Sequence, residues 1–97
     1  MPEFPGGMSE LVKFLQNNIH YPAAAIDNQI SGRVFIQFVV NKLGEIRDIK
    51  IIRGLEGGCT EEALRVVKKM PNWKPGKNSG ALVSVYYSLP IVFALPE

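Results

Sequence analysis

Residues Ala81–Leu95 read A-L-V-S-V-Y-Y-S-L-P-I-V-F-A-L, and the fold follows from how that stretch is read. Val83, Val85, Tyr87, Leu89, Ile91, Phe93 and Leu95 are apolar or aromatic, while Ser84, Tyr86, Ser88 and Pro90 fall between them. A period of two marks a strand with one buried face. Pro90 places that strand, because proline has no N–H to give a ladder and is tolerated at a sheet edge or a bulge. The stretch is therefore expected to form a long edge strand. Residues of an antiparallel strand point their N–H and C=O to alternate neighbours, so if Pro90 faces away from the sheet, Ser84, Tyr86 and Ser88 do too. No charged residue protects this rim between Ala81 and Leu95. An open rim of that kind is a template for another strand, and an extended peptide is expected to add along it.

Working outward, Trp73-Lys74-Pro75-Gly76 links the strand to a helix that Pro71 stops. Thr60 is expected to N-cap that helix, with Glu61 and Glu62 in its first turn and Ala63, Leu64, Val67 and Met70 as its buried stripe. Trp73 is read as a core plug beside the helix end. Upstream, Arg33–Asn41 has Val34, Ile36, Phe38 and Val40 on one face and Phe35 and Val39 on the other, which suits a central strand. Asn41-Lys42-Leu43-Gly44 reads as a hairpin turn with Gly44 left-handed. Glu45–Arg53 returns, and the unequal parity of Ile46 and Ile49 means that it either carries a bulge, the favoured reading, or buries parts of both faces.

The N-terminal part predicts a helix from Met8 to about Asn18 with Met8, Leu11, Val12, Leu15 and Ile19 on one stripe and Asn17-Asn18 at its end. Tyr21-Pro22 then opens a short helix over 23–28. The expected class is α+β: two helices on one face of a three-stranded antiparallel or mixed sheet, order 2-1-3, with the long C-terminal strand at an edge. A crossover helix lets the last strand run parallel to the second and lie beside the first. Residues 1–97 are read as one domain, with 1–7 as a lead-in segment.

Composition narrows the function. The chain has 97 residues, 46% hydrophobic and 21% charged, so it can bury a core without metal or disulfides and is neither disordered nor spanning a bilayer by a helix. No signal-peptide pattern opens it, so it is read as cytoplasmic or as a piece of something longer. A formal charge of +2 demands no nucleic acid, and Lys68, Lys69, Lys74 and Lys77 suit a helix C-terminus and a solvated loop. Cys59 is expected as a buried small residue. His20 with Cys59 is the only conceivable base and nucleophile, and nothing orients them; no metal spacing and no phosphate loop occurs, so neither catalysis nor a cofactor is expected.

Tyr21-Pro22-Ala23, Gly32-Arg33-Val34, Phe38-Val39-Val40 with Gly44-Glu45-Ile46, Glu62-Ala63-Leu64-Arg65, Trp73-Lys74-Pro75-Gly76 and the final strand together resemble the TonB C-terminal domain. Phe4-Pro5-Gly6-Gly7 and Met70-Pro71-Asn72-Trp73 resemble its Bacteroidetes form. The resemblance implies the periplasmic domain of an energy transducer anchored in the inner membrane. It would grip the TonB box of outer-membrane transporters and pass on force from an ExbB/ExbD-like motor for siderophore, cobalamin or glycan uptake. The TonB box pairs with the last strand in that family, which points to Leu82, Ser84, Tyr86 and Ser88. The segment before the Tyr-Pro pair lies near the partner, which maps to Asn18 and His20. Anchor and linker are not in the chain, which would make it an excised domain. The rival readings are the same domain appended to a BlaR-like membrane metallopeptidase sensor and a self-associating envelope module in which a homodimer fills the rim. A weaker one is a single-strand nucleic-acid binder using Tyr86 with Lys74 and Lys77.

Overall fold

The computed structural model describes residues 2–95. In chain order the elements are α1 (Met8–Asn18), α2 (Ala23–Asp27), β1 (Gly32–Val40), β2 (Ile46–Arg53), α3 (Cys59–Lys68), β3 (Gly76–Asn78), β4 (Ala81–Val83) and β5 (Val85–Phe93). β2, β1 and β5 form one sheet in that order, with β1 antiparallel to both neighbours; β3 and β4 form a separate two-stranded ribbon. The order 2-1-3 read from the sequence is thus the order found.

β1 explains its own central position. Val34, Ile36, Phe38 and Val40 are fully buried, and they share their face with Leu89, Ile91 and Phe93 of β5. Leu11 of α1, Ala25 of α2 and Cys59, Ala63 and Val67 of α3 complete the same cluster, so all three helices cover one side of the sheet. Complete burial of side chains of this size contributes about 1.5–3 kcal/mol each. On the other side Tyr86 and Val92 are exposed, and Phe35, Gln37 and Val39 are half-buried.

The bulge expected in β2 is present. The register slips between Gln37 and Val39, where Asp48 takes φ 51°, and again between Phe35 and Ile36, where Ile52 is extruded. These two slips resolve the parity problem: Ile46, Ile49 and Ile51 pack toward the core, while Arg47, Lys50 and Arg53 stand opposite Val39, Gln37 and Phe35. Gly44 makes the hairpin turn at φ 82°. Its carbonyl accepts the Trp73 N–H at 2.7 Å, fixing the loop that carries the tryptophan. Trp73 is buried edge-on to Phe4, Phe38 and Tyr87 at centroid distances of 5.7, 5.4 and 4.9 Å. The N-terminal segment is tied down as well, by the pair of backbone bonds between Glu3 and Lys74.

Four local expectations are corrected. The stretch 81–95 is not one strand: Ala81–Val83 turns aside to pair with Gly76–Asn78 through the tight turn at Ser79-Gly80, both with positive φ, and Ser84 separates it from β5. Alternation of apolar residues runs through Ser84 unbroken, so the sequence carries no mark of the change of partner. The α3 helix begins at Cys59 behind Gly58, which is left-handed at φ 89°, and Thr60 does not cap it. The Thr60 hydroxyl instead bonds both the N–H and the carbonyl of Leu55 at 2.9 Å, closing the loop. In the α3 stripe Val66 is buried and Leu64 only half so. In α1 only Leu11 is buried, and Met8 and Val12 are exposed although they lie on the apolar stripe.

Candidate functional site

β5 is an edge strand, and its register against β1 runs from Gly32↔Phe93 to Val40↔Val85 without a slip. Pro90 stands opposite Phe35. Having no N–H, it can take part only in a non-hydrogen-bonded pair, and alternation then turns the backbone groups of Tyr86, Ser88 and Val92 outward with it. Among the described residues no strand lies on that side. The outward run carries no charge, and its side chains at Tyr86, Ser88, Pro90 and Val92 are exposed.

The opposite edge of the sheet is built differently. β2 is broken by two register slips and carries Arg47, Asp48, Lys50 and Arg53. Bulges and charge are the devices that stop an edge from accepting a stray strand. One rim of the sheet is guarded and the other is straight and neutral.

Of the residues singled out from the sequence, Tyr86 and Ser88 lie on the outward side of β5. Ser84 lies at the junction ahead of it. Leu82 belongs to β4, where it pairs with Lys77, and so stands apart from the β5 rim. Asn18 and His20 bracket the end of α1 and are held from behind by α3. The His20 N–H donates to Glu62 Oε2 at 2.6 Å, and Arg65 Nη2 donates to the Asn18 carbonyl at 2.7 Å. Arg65 also forks onto both Glu62 oxygens at 2.7 Å. That hydrogen bonding by the Arg65 guanidinium, aided by the His20 N–H, keeps the Glu62 carboxyl below its ordinary pKa despite partial burial. The clamp fixes the segment that follows α1 against the body of the protein.

Between that segment and β5 lies a feature that sequence reading missed, an open groove of about 290 Å³. Val12, Leu15 and Ile19 form its helical wall, and Pro90, Ile91 and Val92 form its strand wall. The exposed stripe positions of α1 were the available signal, but periodicity treats every stripe position as covered.

Cys59 is fully buried and its thiol pKa is raised by that burial, with Glu61 adding to it. No group of three or more His, Cys, Asp or Glu side chains could hold a metal ion among the described residues. Tyr21, the aromatic of the Tyr-Pro pair, donates its hydroxyl to the Ile30 carbonyl and sets its ring edge-on to Phe93 at 5.5 Å, a structural role.

Comparison with known proteins agrees with this architecture. Residues 17–95 match the family model described as the Gram-negative bacterial TonB protein C-terminal. Two solution structures of the Helicobacter pylori TonB C-terminal domain are similar. One has a TM-score of 0.69 at 24% identity, covering 92% of this chain and 94% of that one. The other has a TM-score of 0.63 at 25% identity, covering 96% and 88%. No curated protein matches the chain. With a family match over most of its length and the same three-stranded sheet beneath helices, the chain belongs to the TonB C-terminal domain family.

Proposed function

We propose that the chain is the periplasmic C-terminal domain of a TonB-type energy transducer. In this reading it captures the TonB box of outer-membrane transporters by β-strand addition along the outward side of β5. It then passes on pull derived from the proton-motive force for the uptake of nutrients such as siderophores or glycans. The anchor in the inner membrane and the ExbB/ExbD-like motor would act through protein N-terminal to this chain. Domains of this family are non-catalytic interaction modules that work in the periplasm with outer-membrane transporters, which supports the reading. The Phe4-Pro5-Gly6-Gly7 opening, which folds against Trp73 through Phe4, favours the Bacteroidetes form.

The observation that carries the proposal is the contrast between the two rims of the sheet. A neutral edge kept in unbroken register over the length of β5, beside a second edge that is bulged and charged, supports the reading that this edge is available to an added strand. Main-chain bonds to an added strand contribute only about 1 kcal/mol each, yet a ladder loaded along its length shares force among several of them. The interaction can be weak and still transmit tension. The same neutral edge also favours a second copy of the chain as an alternative occupant.

Tyr86→Pro tests the proposal. Tyr86 pairs with Val39 in the non-hydrogen-bonded phase, so removing its N–H costs the β1 ladder nothing and costs an incoming strand a donor. Titration with peptides from the N-termini of outer-membrane transporters, followed by the amides of Val85–Leu89, is expected to show binding to the wild type. The variant should lose it with a change in urea midpoint stability below about 1 kcal/mol. Equal loss of stability and binding would mean that the outward side has been misassigned. Concentration-dependent dimerisation abolished by the same substitution would instead identify a second copy as the occupant.

A further inference from the structure

The outward rim of β5 has a gap. An added strand finds N–H donors at Tyr86, Ser88 and Val92 but none at Pro90, so the partner carbonyl that falls there is left without a ladder bond. The apolar groove lies at that gap, with Pro90, Ile91 and Val92 as one wall. Side chains of an added strand alternate across the sheet plane. Partner residues beside Ser88 and Pro90 point over the uncovered face, and those beside Leu89 and Ile91 point to the helical side. There they meet Val12, Leu15 and Ile19, with Gln16 the only polar residue in the lining.

We propose that the groove between α1 and β5 is a side-chain subsite for the incoming strand, taking a branched aliphatic or aromatic residue beside Ile91 and excluding a charged one. The inference rests on strand addition at β5 and adds to it the chemistry of the partner. Backbone pairing alone is blind to sequence, so a rim that offered only hydrogen bonds would accept any extended peptide. The subsite supplies the discrimination, and it does so where the ladder is weakest. Val12 and Leu15 bring the wall from α1, and Ile19, the residue that ends that helix, extends it toward the Tyr-Pro pair. It also gives a role to Val12, which is 45% exposed although it lies on the apolar stripe of α1.

The test uses the full chain, isotope-labelled, and short Thr/Ser peptides in which a single Leu or Asp is moved one position at a time. At one position, and not at its neighbours, Leu is expected to bind roughly tenfold tighter than Asp. The same peptide should shift the methyls of Val12 and Ile19 together with the amides of Tyr86 and Ser88. Val12 is partly solvent-exposed, so Val12→Lys is expected to keep the thermal midpoint and to reverse the preference toward Asp at that position. Should the Tyr86 and Ser88 amides respond equally to Leu and Asp peptides, with Val12 and Ile19 unmoved, the subsite is refuted and strand addition stands. Should no peptide move the Tyr86 and Ser88 amides, strand addition itself is refuted. Retention of the Leu preference in Val12→Lys would also overturn the subsite.

Discussion

Gly44 shows how one residue couples two loops. It makes its turn at φ 82°, where a side chain is strained, and a Cβ placed on it would stand 2.0 Å from the Trp73 carbonyl oxygen. The first problem is local and was legible in Asn41-Lys42-Leu43-Gly44; the second is a contact across the fold and was not. Gly44→Ala is therefore expected to cost about 3 kcal/mol or more, beyond the roughly 1 kcal/mol of a positive φ alone, because the Trp73 loop must move. Urea unfolding followed by Trp73 fluorescence measures it, and a loss near 1 kcal/mol would show that the loop yields freely. Trp73 plugs the core beside the end of α3, as its size and place in the chain predict. Its indole N–H, however, is buried without a partner among the described residues, which no sequence pattern announces. The cysteine was equally plain, a small buried side chain at the start of α3.

At the level of elements, proline and charge decide the fate of each rim. Pro90 was readable as an edge residue from chemistry alone, and β5 is the edge. Replacing it with valine restores a donor to a neutral, regular rim and suits the strand. Pro90→Val is thus expected to change monomer stability by less than about 1 kcal/mol, since lost chain stiffness and gained strand propensity oppose each other. Its effect should fall on association: sedimentation should show a larger dimer or oligomer fraction than the wild type at equal concentration. An unchanged distribution would mean that the outward side of β5 is screened by something other than proline. The division of 81–95 into β4 and β5 was invisible in the alternating pattern, because a strand that changes partners keeps its pleat. Only the presence of Gly76–Asn78 as a competing neighbour reveals it.

Across the whole molecule, the contact that joins the end of α1 to α3 is electrostatic. Glu62 holds the His20 N–H and the Arg65 guanidinium, and Arg65 reaches the Asn18 carbonyl. Because the Glu62 carboxyl is held below its ordinary value of 4.5, its contribution to stability is complete above that pH. It is lost as pH falls through the lowered folded value. Glu62→Gln is expected to lower the thermal midpoint by several degrees near neutral pH, and the gap to the wild type is expected to shrink progressively as pH falls below 4.5. Scans across that range check the sign: a gap that widened on acidification would contradict it. Loosening the clamp should also free Ile19, so amide exchange of Asn18–His20 ought to rise in the variant before global unfolding.

The amino-acid order alone pointed to the sheet order, the edge position of β5, the bulge in β2 and the core role of Trp73. Each of these follows from a rule readable along the chain: a crossover helix between strands, a missing N–H, a parity mismatch, a single large aromatic. What the tertiary structure decided was where those elements leave each other incompletely covered. Val12 lies on an apolar stripe by periodicity, and only the final packing of α1 beside β5 leaves it facing a groove instead of the core. The cap at Gly58, the turning aside of Ala81–Val83 and the grip of Glu62 and Arg65 on Asn18 and His20 are of the same kind. They depend on which distant backbone arrives alongside, and periodicity along one segment carries no information about its neighbour.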